Sequence, residues 1–187
     1  MSNFLINNNM KNLFFKSNTQ KVLRHLAQYP EKALLPSEIK KGLKISRAGI
    51  HSALQELLRK HLIQREQRGK AYVYQIQSEL SILKQFKVLN STIILEPLVK
   101  KVNSFVNKII LFGSCSRGEN TEDSDIDLLI ITHEKEKVIE KLKQFAKLRL
   151  KPIIKTPLEF LSLEKEDATF YSEIIRGIVL FEKNDEY

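Results

Sequence analysis

Two acidic residues separated by a single position, Asp125 and Asp127, follow the pair Gly113-Ser114 with ten residues between. In an extended strand, residues i and i+2 point to one face about 6 to 7 Å apart, so both carboxylates converge on one place. Like charges set against an apolar strand each raise the desolvation cost of the other, and a divalent cation relieves that repulsion. Mg²⁺ is held by one or two carboxylates plus phosphate oxygens, which predicts a nucleoside triphosphate as the accompanying ligand. Gly113 lets the backbone approach closely, Ser114 adds a hydroxyl, and a helix beginning there would direct free N–H groups at an anion. Arg117, one helical turn past Ser114, is spaced to clamp a phosphate.

The elements that must position these groups are short apolar runs. Ile109-Ile110-Leu111-Phe112 reads as a buried strand ending at Gly113, and Leu128 to Ile131 reads as a second strand leaving the acidic pair. A later strand candidate, Pro152-Ile153-Ile154-Lys155-Thr156, contains no acid. The series Lys137, Lys141, Lys143, Lys147, Arg149 and Lys151, interleaved with Glu134, Glu136 and Glu140, predicts a solvated helix face. His25, His51, His61 and His133 lie on separate elements without ligand spacing, and Cys115 has no nearby His in sequence, so neither a His-based metal site nor thiol catalysis is expected.

Length and composition bound the rest. The chain has 187 residues, 42% hydrophobic and 28% charged, which suits one ordinary folded domain or two small ones. No apolar run approaches the ~18 residues of a membrane span, and Met1 to Lys16 does not have the pattern of a signal peptide. One cysteine excludes an intramolecular disulfide framework, so a cytoplasmic location without membrane contact is expected. The net charge of +9 is unevenly divided. Residues 1–90 carry 16 Lys and Arg against 5 Asp and Glu, a net of +11, whereas residues 91–187 carry 15 against 17, a net of −2. Two modules with different partners are expected, 1–90 and 91–187, the first facing a polyanion.

Within the basic module, Val22, Leu23 and Leu26 recur at helical spacing between Asn18 and Tyr29, and Pro30 stops the run. Pro36-Ser37-Glu38 opens a short helix, and Ser46 caps a longer one striped by Ile50, Leu54, Leu57 and Leu58. His61 to Arg65 and Ala71 to Ile76 follow as strands joined across Arg68-Gly69-Lys70, with Tyr72 and Tyr74 as packing residues. Helix, helix, tight turn, helix, basic hairpin is the order of a winged helix-turn-helix. Residues 15–78 resemble such domains of bacterial and archaeal transcription regulators, most closely from Leu43 to Leu57. The resemblance implies double-stranded DNA as partner. It places Ser46, Arg47, Gly49, His51, Ser52 and Gln55 in the major groove and Arg68 and Lys70 on the wing. Between the modules, Glu79 to Asn107 reads as helical, with Pro97 in the first turn of a second stretch and a stiff join implied.

Leu111-Phe112-Gly113-Ser114-Cys115-Ser116-Arg117-Gly118, followed by Ser124-Asp125-Ile126-Asp127-Leu128, resembles the signature of the minimal nucleotidyltransferases in the DNA polymerase β superfamily. The likeness spans about residues 95–183, including the tail Ile174 to Phe181. It implies a two-domain chain, with an N-terminal winged helix-turn-helix and a C-terminal α/β nucleotidyltransferase of a small mixed sheet flanked by helices. By this resemblance Gly113, Ser114, Arg117 and Ser124 bind the triphosphate, and Asp125 and Asp127 hold Mg²⁺ and carry the transfer of a nucleoside monophosphate to a hydroxyl. Members usually add a third carboxylate on a later strand. None stands in the strand candidate here, and Glu159 from the following helix is the substitute the sequence offers. Two other functions stay open: a DNA-binding regulator that binds nucleotide without catalysis, and an antitoxin-like partner of a helical HEPN-type protein. A homodimer is compatible with all three.

Overall fold

The computed structural model describes residues 13–183, and the chain divides into two compact units, Met1–Asn90 and Ser91–Tyr187. In the first, helix α1 (Asn18–Ala27) begins at a capping box, Ser17 accepting from the Gln20 N–H while the Gln20 side chain accepts from Ser17. Helix α2 (Pro36–Lys41) starts on Pro36, and its Glu38 carboxylate accepts from the Leu35 N–H at 2.7 Å. Helix α3 (Arg47–Arg59) is capped as its sequence predicts, Ser46 Oγ accepting from the Gly49 N–H at 3.1 Å. Strands β1 (Ile63–Arg68) and β2 (Ala71–Ile76) form an antiparallel hairpin whose turn is closed by Gly69 at φ +62°. The first strand runs three residues further than its apolar pattern indicates, because beyond Ile63 its side chains face solvent. Val22, Leu26, Ile39, Ile50, Leu54, Leu57, Ile63 and Tyr74 form the core of this unit.

Helix α4 (Ser81–Val102) is continuous, with Pro97 inside it rather than opening a second helix. Leu95, Leu98 and Val102 are fully buried on both sides of the proline, and their burial holds the helix through a residue that removes one backbone hydrogen bond. Among the described residues no helix is long and apolar enough to cross a membrane.

The second unit is a four-stranded mixed sheet in the order β5-β4-β3-β6, formed by β3 (Lys108–Phe112), β4 (Ile126–Ile131), β5 (Leu150–Lys155) and β6 (Ile178–Glu182). β3 is antiparallel to both β4 and β6, and β4 is parallel to β5. The remaining helices are α5 (Gly113–Arg117), α6 (Lys135–Leu142), α7 (Pro157–Glu166) and α8 (Ala168–Ile175). Ile109, Leu111, Leu128 and Ile130 pack on one face with residues of α4 and α6, while Ile110, Phe112, Leu129 and Ile131 pack on the other with α7 and α8. Helices on both faces explain why the central strands are unbroken apolar runs instead of alternating ones.

The lysine series does not form one helix. α6 ends at Leu142, a turn of 3₁₀ helix covers Lys143–Phe145, and the chain re-enters the sheet as β5, which carries Lys151. β5 is an edge strand, so one side of it alternates with solvent, and its lysines imitate the polar face of a helix.

Candidate functional site

The strand register brings the two halves of the phosphate and acid signature together. Phe112, the last residue of β3, pairs with Asp127 near the start of β4, so the chain turns into α5 directly beside the acidic pair. Gly113 makes that turn at φ +67°, and a Cβ there would lie 2.3 Å from Asp127 Oδ2. Only glycine fits, both for its backbone and for the carboxylate pressed against it. α5 is little more than one turn long; Ser116 Oγ donates to the Gly113 carbonyl at 2.8 Å, and Gly118 closes it at φ +70°.

Asp125 precedes β4 and is exposed; its Oδ1 accepts from Arg149 Nε at 3.2 Å, and the same guanidinium lies 3.5 Å from Asp123. Asp127 is half-buried, and its carboxyl is held above the usual range. Desolvation is the main cause, Asp125 and Glu173 add repulsion, and Lys151 and Arg117 oppose it. Ser124 accepts from the Thr121 N–H at 2.8 Å and shapes the turn that delivers the acids. Cys115 is buried with its Sγ 3.6 Å from the Asp125 carbonyl, a packing position beneath the site.

Arg117 is engaged by carboxylates. Its Nε donates to Glu119 at 2.7 Å and its Nη1 lies 3.6 Å from Glu173, and the Glu119 hydrogen bond above all raises its pKa further. Arg117 and Glu173 line a cleft of about 540 Å³ together with Ser116, Thr169, Ser172 and Arg176. Nothing in the sequence marks Glu173, Arg149 or Lys151 as part of this site, because Lys151 arrives on β5, Arg149 just before it and Glu173 on α8, each through tertiary pairing.

Glu159 is not a substitute third acid. β4 and β5 pair from Ile126↔Leu150 to Ile131↔Lys155, so Glu159, beyond the end of β5, stands at the opposite end of the strands from Asp127. The five pairs from Asp127↔Lys151 to Ile131↔Lys155 alone span about 13 Å, four steps of the strand. There Glu159 completes a capping box with Thr156 and binds Lys135 Nζ at 2.6 Å. Among the described residues no group of three or more His, Cys, Asp or Glu is placed to hold a metal ion.

In the first unit, Arg47, His51, Ser52, Arg68 and Lys70 are exposed, and Gln55 is half-buried. Ser46 is occupied as the cap of α3. Gly49 serves close packing, since a Cβ there would come 2.9 Å from Asn18 Nδ2 of α1 and from Ile45 Cγ2. Of the two tyrosines expected to pack, Tyr74 is buried at 3% exposure, while Tyr72 is 44% exposed with the Arg65 guanidinium 4.4 Å from its ring centre.

Comparison with known proteins shows what the second unit is similar to. Residues 94–186 match the family described as polymerase beta, nucleotidyltransferase. Two relatives from Methanocaldococcus jannaschii, each named "Putative protein adenylyltransferase", are similar to part of this chain. One is 39% identical over 64 residues, covering 34% of this chain and 57% of its own, and the other is 56% identical over 34 residues, covering 18% and 34%. The chain thus spans about half or less of the length of these relatives. A solved "putative nucleotidyltransferase" from Sulfolobus solfataricus overlaps 54% of this chain and 92% of its own, at 17% identity and a TM-score of 0.35.

Proposed function

We propose that the second unit binds a nucleoside triphosphate with Mg²⁺ between the Gly113-Ser114 turn and the Asp125/Asp127 pair, and transfers its nucleoside monophosphate to a hydroxyl. The names of the relatives point to adenylate as the group and a protein side chain as the acceptor. The observation that carries this reading is the contact between Gly113 and Asp127: a positive-φ glycine sits against a carboxylate that is partly desolvated and repelled by its neighbour. Such an acid pair fits Mg²⁺, which takes one or two carboxylates and completes its shell with phosphate oxygens and water. Bound Mg²⁺ would neutralise charge on the phosphates and so favour attack at the α-phosphorus. Asp125 and Asp127 would hold the ion, with Arg149 fixing Asp125, and Arg117 would meet the phosphates once exchanged from its own carboxylates. The acceptor oxygen bonds to the α-phosphorus as the bond to the bridging oxygen breaks; pyrophosphate leaves, and the hydroxyl proton passes to solvent. Positioning and electrostatics supply most of the acceleration in reactions of this kind.

A second reading, nucleotide binding without turnover in a DNA-binding regulator, is favoured by Lys151, which stands opposite Asp127 where β5 would otherwise offer a third acid. α-Labelled ATP separates the two. Label transferred to a protein in a cell extract by wild type and not by Asp127→Asn supports the enzyme; binding without transfer to any acceptor supports the regulator.

For the first unit we propose a winged helix that binds duplex DNA through α3 and the β1–β2 hairpin, supported by its net charge of +11 and the exposure of Arg47, Arg68 and Lys70. Mobility shifts with the full chain at several salt concentrations test it. Lys70→Ala is expected to weaken all sequences alike and lower the log–log salt slope by about one. No binding at low salt would overturn it.

A further inference from the structure

The β5 edge and the residue leading into it present a cation to each of the paired acids. Asp127 and Lys151 are directly opposed in the parallel β4–β5 register, and opposed residues of a parallel pair project to the same face. Packing two residues on agrees with this, since Leu129 and Ile153 meet in one apolar cluster beneath α7 and α8. Lys151 is exposed, and its charge lies within electrostatic reach of Asp127. On the strand's approach, Arg149 Nε donates to Asp125 at 3.2 Å.

Many phosphoryl-transfer sites use two divalent ions about 3.5 to 4 Å apart, clamping the attacking and leaving oxygens. Two ions with a combined charge of +4 require acidic ligands around both. Here the paired acids are Asp125 and Asp127; the other acids nearby face cations of their own, Asp123 beside Arg149 at 3.5 Å and Glu173 beside Arg117 at 3.6 Å, and β5 sets an ammonium opposite Asp127 instead of a further carboxylate. A second ion at this place would be repelled by Lys151.

Resting on the nucleotide reading above, we propose that this site takes one divalent cation, and that Lys151, opposed to Asp127 on β5, is a positioning residue whose fixed charge occupies the place of the second. The lysine offsets negative charge that another ion would otherwise neutralise. A lysine also needs no metal binding to be present, so part of the acids' charge is offset before any ion arrives with the triphosphate.

Manganese is the probe. The full chain is saturated with Mn²⁺ and α,β-methylene-ATP, freed of unbound ligand, and examined by electron paramagnetic resonance with metal analysis of the protein fraction. Wild type is expected to hold one Mn²⁺ per chain with an uncoupled six-line signal. Lys151→Asp places an acid at an exposed edge position, and is expected to hold two ions with the exchange-coupled spectrum of a close pair. A coupled pair in wild type overturns the inference, as does a Lys151→Asp variant that is folded by circular dichroism and still holds a single ion. Absence of any protein-bound manganese and nucleotide in wild type is a different result, and overturns the proposed function along with this inference.

Discussion

The two ends of the β4–β5 pair use the same chemical group in opposite ways. At one end Asp127 is crowded by Gly113, repelled by Asp125 and partly desolvated, so its ionised form is disfavoured. At the other, Glu159 accepts from Lys135 and from the Thr156 backbone, and these bonds pull its pKa down to about 2. Glu159 has its charge matched by the fold and stabilises the start of α7. Asp127 has its charge left in excess, which a folded chain tolerates where a ligand will bring the compensating cation. The difference teaches which carboxylate to assign to chemistry: the one whose local environment opposes it, even though both lie beside a sheet, at a strand end and next to a helix start.

Replacing the unfavourable carboxylate should produce the largest divergence between the two ends. Asp127→Asn keeps the shape and removes the charge, and is expected to cut nucleotidyl transfer by more than about a hundredfold. The same substitution is expected to raise the melting temperature. The native state holds the Asp127 proton more tightly than the unfolded chain does, so the ionised group opposes folding at neutral pH. That cost disappears as pH falls through the raised value, and the stability gain of the variant should shrink in acid. Thermal denaturation at pH 7 and pH 4 beside a labelling assay reads both. A variant less stable than wild type at pH 7 would break the comparison.

Gly113→Ala tests the contact from the other side and should have the next largest effect. Holding alanine at φ +67° costs about 1 to 2 kcal/mol, and the added methyl displaces Asp127 Oδ2, which lies 2.3 Å from its position. We expect triphosphate affinity to fall about tenfold in calorimetric titration and the melting temperature to drop by several degrees. Full affinity in this variant would separate Gly113 from the site.

The sequence made the first end of this comparison legible and hid the second. Gly113, Ser114, Asp125 and Asp127 lie within fifteen residues of one another, and a hairpin-like return from β3 to β4 joins them through local register alone. The Ser46 cap, the Pro36 helix start and the Gly69 turn were legible for the same reason, since each is decided within three or four residues. Lys151 and Arg149 reach the acids only through a parallel pairing that needs the whole α6 crossover, and Glu173 only through the packing of α8. Their lysine-rich segment has a helical charge period, and nothing within it tells an exposed edge strand from a solvated helix. The sequence offers Glu159 as a stand-in acid because distance along the chain from β5 says nothing of which end of the strand the next helix leaves.

The smallest expected effect concerns that satisfied carboxylate, and it sharpens the comparison by running in the opposite direction with pH. Glu159 has a folded pKa near 2, below its ordinary 4.5, so its contribution to stability is fully present above about pH 4.5 and is lost as pH falls toward 2. Glu159→Gln keeps an oxygen that can accept from the Thr156 N–H and removes the ion pair with Lys135, which is half-exposed and therefore modest. The variant should melt slightly below wild type at pH 6, converge with it near pH 2, and transfer nucleotide at the wild-type rate. Thr156→Ala removes the reciprocal half of the cap and should cost about 1 kcal/mol at both pH values, because the lost bond from the Glu159 N–H to Thr156 Oγ1 does not depend on charge. Denaturation of both variants across pH 2 to 6 checks these directions. A Glu159→Gln deficit that grows in acid, or that comes with loss of transfer, would place Glu159 in the same class as Asp127 and dissolve the contrast between the two ends of the sheet.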